Sequence, residues 1–317
     1  MGFKVVVIGT GFGRYAMAPS LERLGCEVEL VSARDERAIQ RAIAARCDLV
    51  SIHSPPFLHL AHVSLAARHR RHILCDKPFG CDAGEASEML ALAQSAGVLH
   101  FLNFEFRFDA QRQKLKQLLE DGAVGAPLHL SSLMHMSRGR KIPHGWIFEK
   151  DKGGGWIGAY ASHFVDMLHW LFGDIETHST QSRIDVKLRR GGAQSSNRMH
   201  QATAEDAFTA IFRMRSGVTA SLDSSYCAAV DLPAQLTVLG SEGVIQLRTG
   251  GDVVLQRANG EPERFATASE HPMNAALNRW LAAVLDAIGN NRPITPDFAA
   301  GLKCAEVLDS MRSSRPW

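Results

Sequence analysis

Phe3-Lys4-Val5-Val6-Val7-Ile8-Gly9-Thr10-Gly11-Phe12-Gly13-Arg14 opens the chain, and the change of character inside it decides the fold. After its lysine the first half is unbroken apolar sequence, as in a strand buried on both faces of a parallel sheet. Glycines 9, 11 and 13 follow, and a helical pattern then runs from about Phe12 to Leu24. Strand, glycine turn and helix in that order make a dinucleotide-binding unit. The first glycine permits the tight turn and the second lets the backbone approach a pyrophosphate, whose oxygens meet helix N-terminal amides. The last glycine, Gly13, comes one residue early, and Arg14 stands where it is usually found. Gly9, Thr10, Gly11, Phe12, Gly13 and Arg14 are the residues expected around the phosphates.

Outward from this unit the alternation continues. Strands are expected at 27–32, 49–53, 72–75 and 98–101, with helices at 35–46, 59–70 and from Asp82 to Gly97. Asp82 with Glu85 three residues on is a capping-box signature. The reading is an N-terminal Rossmann doubly wound parallel sheet. After the helix 109–121 the character changes. Strands dominate at 128–135, 183–187, 207–214, 218–224, 235–239, 244–247 and 253–256, separated by short turns that imply antiparallel hairpins. This second part reads as an α+β domain with a large, mostly antiparallel open sheet. Helices at 162–171, 273–288 and 296–313 complete the pattern, so the domains are expected at 1–122 and 123–317, with the last helices packing back on the first.

Bulk properties narrow the function classes. The chain has 317 residues, 45% hydrophobic and 21% charged, enough for two ordinary cores. A net charge of +2 gives no electrostatic reason to expect nucleic acid or an acidic membrane. No apolar run reaches the roughly 18 residues a membrane span needs, and the opening does not read as a signal peptide. Six scattered cysteines without a CxxC pair fit reduced thiols in a cytoplasm. His59 with His62, His69 with His72, and His163 with Asp166 and His169 have helical spacing, but none completes a familiar metal set; no metal is expected.

The end of the second strand bears on the cofactor. An NAD site places a carboxylate there for the ribose diol, whereas this chain has Ser32-Ala33-Arg34. A hydroxyl and a guanidinium suit a 2′-phosphate, which favours NADP. Asp35, next in line, keeps NAD as the alternative. Ser54-Pro55-Pro56 with His59 follows one strand and Cys75-Asp76-Lys77-Pro78 the next, both where ligands bind in open α/β sheets. Asn103 to Phe108, Gly153-Gly154-Gly155-Trp156 and Ser162-His163-Phe164-Val165-Asp166 come later.

With these motifs in this order, the chain resembles the Gfo/Idh/MocA oxidoreductases, the glucose–fructose oxidoreductase and inositol dehydrogenase family. The likeness rests on the glycine opening, a "TPPxxH"-like segment, an "EKP"-like segment, "N…RF", and a "GGGxxxDxGxHxxD"-like segment. It extends to Gly240-Ser241-Glu242-Gly243 and Pro293-Ile294-Thr295-Pro296. The resemblance implies a dehydrogenase or reductase acting on a sugar, cyclitol or similar small polar substrate. It makes Lys77 the electrostatic and acid/base group and His163 its proton-handling partner. It adds Ser54, Pro55, His59, Asp76 and Lys77 to the cofactor contacts, and assigns Asn103, Arg107, Trp146, Tyr160 and His163 to the substrate.

Three departures stand out. "EKP" is Asp76-Lys77-Pro78; the motif aspartate before His163 is Ala159; and the short stretch 35–52 implies that one helix–strand unit on the adenine side is missing. The loss at Ala159 leaves a non-catalytic dinucleotide sensor as an alternative, and a redox-neutral NAD-dependent glycoside hydrolase is another. Residues 137–146 hold Arg138, Arg140 and Lys141, either a solvated loop or a receptor for an acidic substrate. An open sheet needs a cover, so a homodimer or homotetramer through the second domain is expected.

Overall fold

The computed structural model describes residues 2–192, 198–248, 251–267 and 272–313. The chain divides into two compact units. The first comprises Met1–Phe108, Asp151–Gly153 and Met273–Asp309; the second comprises Asp109–Lys150, Gly154–Pro272 and Ser310–Trp317.

In the first unit β1 (Lys4–Ile8), β2 (Glu27–Val31), β3 (Leu49–Ile52), β4 (His72–Cys75) and β5 (His100–Leu102) form a parallel sheet in the order β2-β1-β3-β4-β5. A π turn (Gly13–Met17) leads into α1 (Ala18–Arg23), and α2 (Glu36–Ala44), α3 (His59–Arg68) and α4 (Ala83–Ala96) follow the next three strands. Asp35 caps α2 by accepting from Ala38 N, and Asp82 caps α4 by accepting from Glu85 N, both at 2.9 Å. Compared with the six-strand order 3-2-1-4-5-6, the strand beyond β2 is missing among the described residues, because α2 returns directly to β3 on the far side of β1. This is the trimmed unit that the short stretch 35–52 implies.

The core beneath β1 is closed from the far end of the sequence. Leu277, Trp280, Leu281 and Val284 of α7 (Pro272–Gly289) are buried with Val5, Val7, Met17 and Leu21. Trp280 meets the Phe101 ring edge-on at 6.1 Å and Phe108 at 4.9 Å. In α8 (Phe298–Ser313), Phe298 packs on Phe79 at 4.4 Å.

In the second unit, β6 (Pro127–His135), β7 (Ile175–Arg183), β10 (Ala207–Met214), β11 (Thr219–Ser225), β12 (Gln235–Gly240), β13 (Gly243–Arg248), β14 (Val253–Arg257) and β15 (Glu263–Phe265) form one sheet. Its order is β15-β14-β13-β12-β6-β11-β10-β7, and only the β6–β11 pairing is parallel among the described residues. β8 (Leu188–Arg190) and β9 (Met199–Gln201) make a separate hairpin. One face is buried, with Phe164 of α6 (Ser162–Phe172) against Phe212; the other carries Ile211 and Leu239 in the open.

Two expectations are corrected. The strand expected at 183–187 lies earlier, at Ile175–Arg183. Asp206 explains the shift, since its carboxylate accepts from Asp185 N at 2.7 Å and Val186 N at 3.1 Å and takes those amides out of any ladder. The first segment of the first unit ends at Phe108, not at 122. Residues 109–122 belong to the second unit because α5 (Ala110–Glu120) sets Lys114 over the Phe265 ring and Lys116 over Trp170.

Candidate functional site

At the carboxyl end of β1 the three glycines differ in what they do. Gly9 has φ +124, its N–H donates to Val31 O at 2.9 Å, and a Cβ there would strike the His53 carbonyl. Gly13 lies against Val7 and the His53 Cβ, so it provides the close helix–strand packing although it is a residue early. A Cβ on Gly11 would meet none of the described atoms within 4 Å. That is what a backbone left open to a phosphate requires. Thr10 and Arg14 are exposed beside it, and Phe12 leans on the His53 ring at 5.7 Å.

Ser32 and Arg34 follow β2. Ser32 Oγ accepts from Arg34 N at 3.3 Å, and the Arg34 side chain is exposed. The Asp35 carboxylate is engaged in capping α2.

Beyond β3 the structure gives one expected contact, His59, a different role. His59 is wholly buried, with Nε2 donating to Ser54 O at 2.8 Å. The Ser54 hydroxyl pairs with His62 Nδ1 at 3.0 Å. His59 therefore offers no surface to a cofactor and instead shapes the Ser54-Pro55 turn from below. Burial pushes both imidazoles down to about 4; at His59 the Ser54 hydrogen bond and the Asp76 charge oppose it and the charge of His53 adds to it, and at His62 the charge of His59 adds to it. Both are neutral at pH 7. Pro55 remains partly exposed on the turn.

Asp76 ends β4 and is the hub of the site. Its Oδ1 accepts from Lys77 N at 2.9 Å and Asn103 Nδ2 at 3.3 Å, and its Oδ2 lies 3.2 Å from His53 Nδ1. Burial alone would raise this carboxyl; the His53 hydrogen bond and charge, Lys77 and the Asn103 amide outweigh it and hold it below the ordinary value. Lys77 is half-buried, and Asn103 is buried at the end of β5. Arg107 is half-buried in the short turn Glu105–Phe108.

In the second unit His163 and Asp166 are buried on α6. Tyr160 stacks on Trp156 at 5.3 Å, and Trp156 on Tyr226 at 4.3 Å. Burial raises the Tyr160 phenol, partly countered by Arg112 and a hydrogen bond with Ser132. Trp146 is half-buried and starts a single helical turn, Trp146–Phe148. Ala159 leaves no carboxylate at the motif position. A different one, Glu205, lies against Gly155 (φ +110) and accepts from Ile157 N at 2.9 Å; burial raises it.

The segment 137–148 is fastened down. Arg189, 3% exposed, donates to Gly139 O at 2.6 Å and to Asp206 Oδ2 at 3.0 Å, with its guanidinium 3.5 Å above the Phe148 ring. Arg140 Nε donates to Cys227 O at 2.8 Å, while Arg138 and Lys141 are exposed.

Sequence reasoning missed His53, Ser51, His62, Glu205, Arg189 and Asp206. A signal existed for the first two, as polar residues inside an otherwise buried strand. The others are marked only by their partners.

Residues 3–104 match the profile described as the oxidoreductase family with an NAD-binding Rossmann fold, and residues 112–246 match the GFO/IDH/MocA C-terminal domain. The chain belongs to the GFO/IDH/MocA oxidoreductase family. Within it, an uncharacterized oxidoreductase of Synechocystis sp. is 29% identical over 96% of this chain and 92% of its own. The D-apiose dehydrogenase of Paraburkholderia graminis is 28% identical over 78% of this chain and 63% of its own. The levoglucosan dehydrogenase of Pseudarthrobacter phenanthrenivorans is 24% identical over 84% and 77%. A levoglucosan dehydrogenase solved with NADH and levoglucosan superposes with a TM-score of 0.85 at 19% identity, covering 99% of this chain and 97% of that one. At that identity the likeness shows the fold. The family assignment makes this chain an oxidoreductase with an NAD-binding Rossmann domain. Among the described residues, no helix is long and apolar enough to cross a membrane.

Proposed function

We propose that this oxidoreductase transfers hydride between NADP(H) and a hydroxyl-bearing or carbonyl carbon of a sugar, cyclitol or similar small polar substrate. The observation that carries the reading is the gathering of Gly9–Gly13, Ser54-Pro55, Asp76-Lys77 and Asn103 at the carboxyl ends of β1, β3, β4 and β5. The strand order reverses between β1 and β3, where ligands bind in open α/β sheets. Relatives named for apiose, inositol and levoglucosan support the substrate class.

Gly9, Thr10, Gly11, Phe12, Gly13 and Arg14 hold the pyrophosphate, with Ser54, Pro55 and Asp76 lining the same edge. Ser32 and Arg34 read a 2′-phosphate, since Asp35 is spent on its helix cap. Bound there, the nicotinamide supplies or accepts the hydride. The Lys77 ammonium polarises the substrate oxygen and stabilises its developing negative charge. The His163 imidazole exchanges the hydroxyl proton. Asn103, Arg107, Trp146 and Tyr160 orient the substrate by hydrogen bonds and ring contact. The open face of the eight-stranded sheet, with Ile211 and Leu239 exposed, supports a homo-oligomer through that face.

The test is NADP(H) absorbance during incubation with a panel of sugars, inositols and their keto forms. Turnover is expected with at least one, and Lys77→Ala should lower kcat by about 10²–10³-fold. Undiminished activity in that variant removes Lys77 from the mechanism.

A further inference from the structure

One buried imidazole touches both turns that the proposed cofactor site needs. His53 N–H donates to Ile8 O at 2.8 Å, its carbonyl blocks any Cβ on Gly9, and its Cβ packs on Gly13. The ring lies against Phe12 on one side, and on the other its Nδ1 reaches Asp76, which in turn holds Lys77 N and Asn103. We propose that His53 is a positioning residue that ties the glycine turn to the Lys77 turn through the Asp76 carboxylate. The inference rests on the reading that a dinucleotide binds over these turns.

The hydrogen-bond pattern places a proton on one of the two ring nitrogens. Asp76 as a carboxylate only accepts, so Nδ1 carries a proton and donates to it, and Nε2 pairs with the Ser51 hydroxyl at 2.7 Å. Ser51 is 0% exposed, so the chain of bonds ends inside the sheet. It offers no path to solvent, which leaves orientation rather than proton transfer as its use. The charged and titratable neighbours are consistent with this. Asp76 faces the ring from β4, neutral His59 lies near it from α3, and Lys77 sits beyond the carboxylate. Aspartate is one methylene shorter than the glutamate of the "EKP" pattern, and here a histidine meets it from β3. The short carboxylate and the imidazole are a matched pair.

Two replacements separate the two ring nitrogens. His53→Asn keeps a donor at the Nδ1 position, and His53→Gln keeps one only near Nε2. NADPH binding, followed by its own fluorescence, should stay within about threefold of wild type for His53→Asn. It should weaken about tenfold for His53→Gln and for Asp76→Ala, the loss expected of one charge-assisted hydrogen bond. The His53→Gln/Asp76→Ala double variant should bind no worse than the weaker single variant. A proton–nitrogen spectrum of wild type should show a proton on His53 Nδ1, a readout independent of whether any variant folds. The Nε2–H tautomer, equal binding by the Asn and Gln variants, or effects that multiply in the double variant would each overturn the inference while leaving the cofactor reading intact. Failure of wild type to bind NADPH or NADH overturns both.

Discussion

The two sheets handle buried polarity in opposite ways. In the first unit the polar groups cluster at the carboxyl ends of parallel strands, where Asp76, His53, Ser54, His59 and His62 satisfy one another around two turns. In the second the buried charge is off the sheet, where Arg189 and Asp206 pin an irregular segment to a hairpin. Parallel strands end at one edge and deliver their polar termini together, whereas an antiparallel sheet scatters its turns and needs a separate anchor for each long loop. The first arrangement gathers polar groups at one edge, and the second anchors a loop.

Breaking the anchor gives the largest effect. Arg189→Met leaves Asp206 buried with two backbone donors and should cost about 3–5 kcal/mol in urea unfolding. The Arg189→Met/Asp206→Asn double variant should recover part of that, and no recovery would show that the loop does not depend on the ion pair.

Acid sharpens the contrast from the other side. His59 and His62 titrate near 4 in the folded chain against an ordinary 6.5, so between those values the unfolded chain binds protons that the folded one refuses. Stability is full above pH 6.5 and falls as pH drops towards 4, by on the order of 3 kcal/mol per histidine. Urea midpoints at pH 7, 5.5 and 4.5 measure it. A flat profile would mean that the turn beneath Ser54 opens to water at little cost.

The glycine turn separates fold from binding. Gly9→Ala meets backbone at a positive φ and should cost about 1–3 kcal/mol of stability. Gly11→Ala meets open space, so the melting curve should hardly move while dinucleotide affinity falls. Equal behaviour of the two in calorimetry would erase the distinction. Last, Arg34→Ala should weaken NADP binding by about 1–3 kcal/mol and NAD binding much less; an equal loss for both would show that this guanidinium reads no 2′-phosphate.

Much of this was legible in order along the chain. Val5–Ile8, the glycines and Asp82 with Glu85 announce strand, turn and cap because those preferences act over a few residues. β7 was not legible, since Ile175–Arg183 is mostly polar and shows no alternation of apolar residues. Nor was the release of residues 184–187 from the ladder, which depends on a carboxylate about twenty positions away. Of the site, Lys77, Asp76 and Asn103 could be named from their motifs. Their dependence on His53 could not, because it comes from neighbouring strands whose order is set only on folding.

The sequence by itself determined that the chain opens with a dinucleotide unit and that a second and different sheet follows. These are local matters of hydrophobic period, turn geometry and motif. Only the tertiary structure decided that His59 and Ser54 are braced inward, that α7 closes the first core, and that an arginine on a small hairpin holds the segment 137–148. Each of those depends on desolvation and on hydrogen bonds between residues far apart in the chain, and a partner across space leaves no mark on its neighbours in sequence.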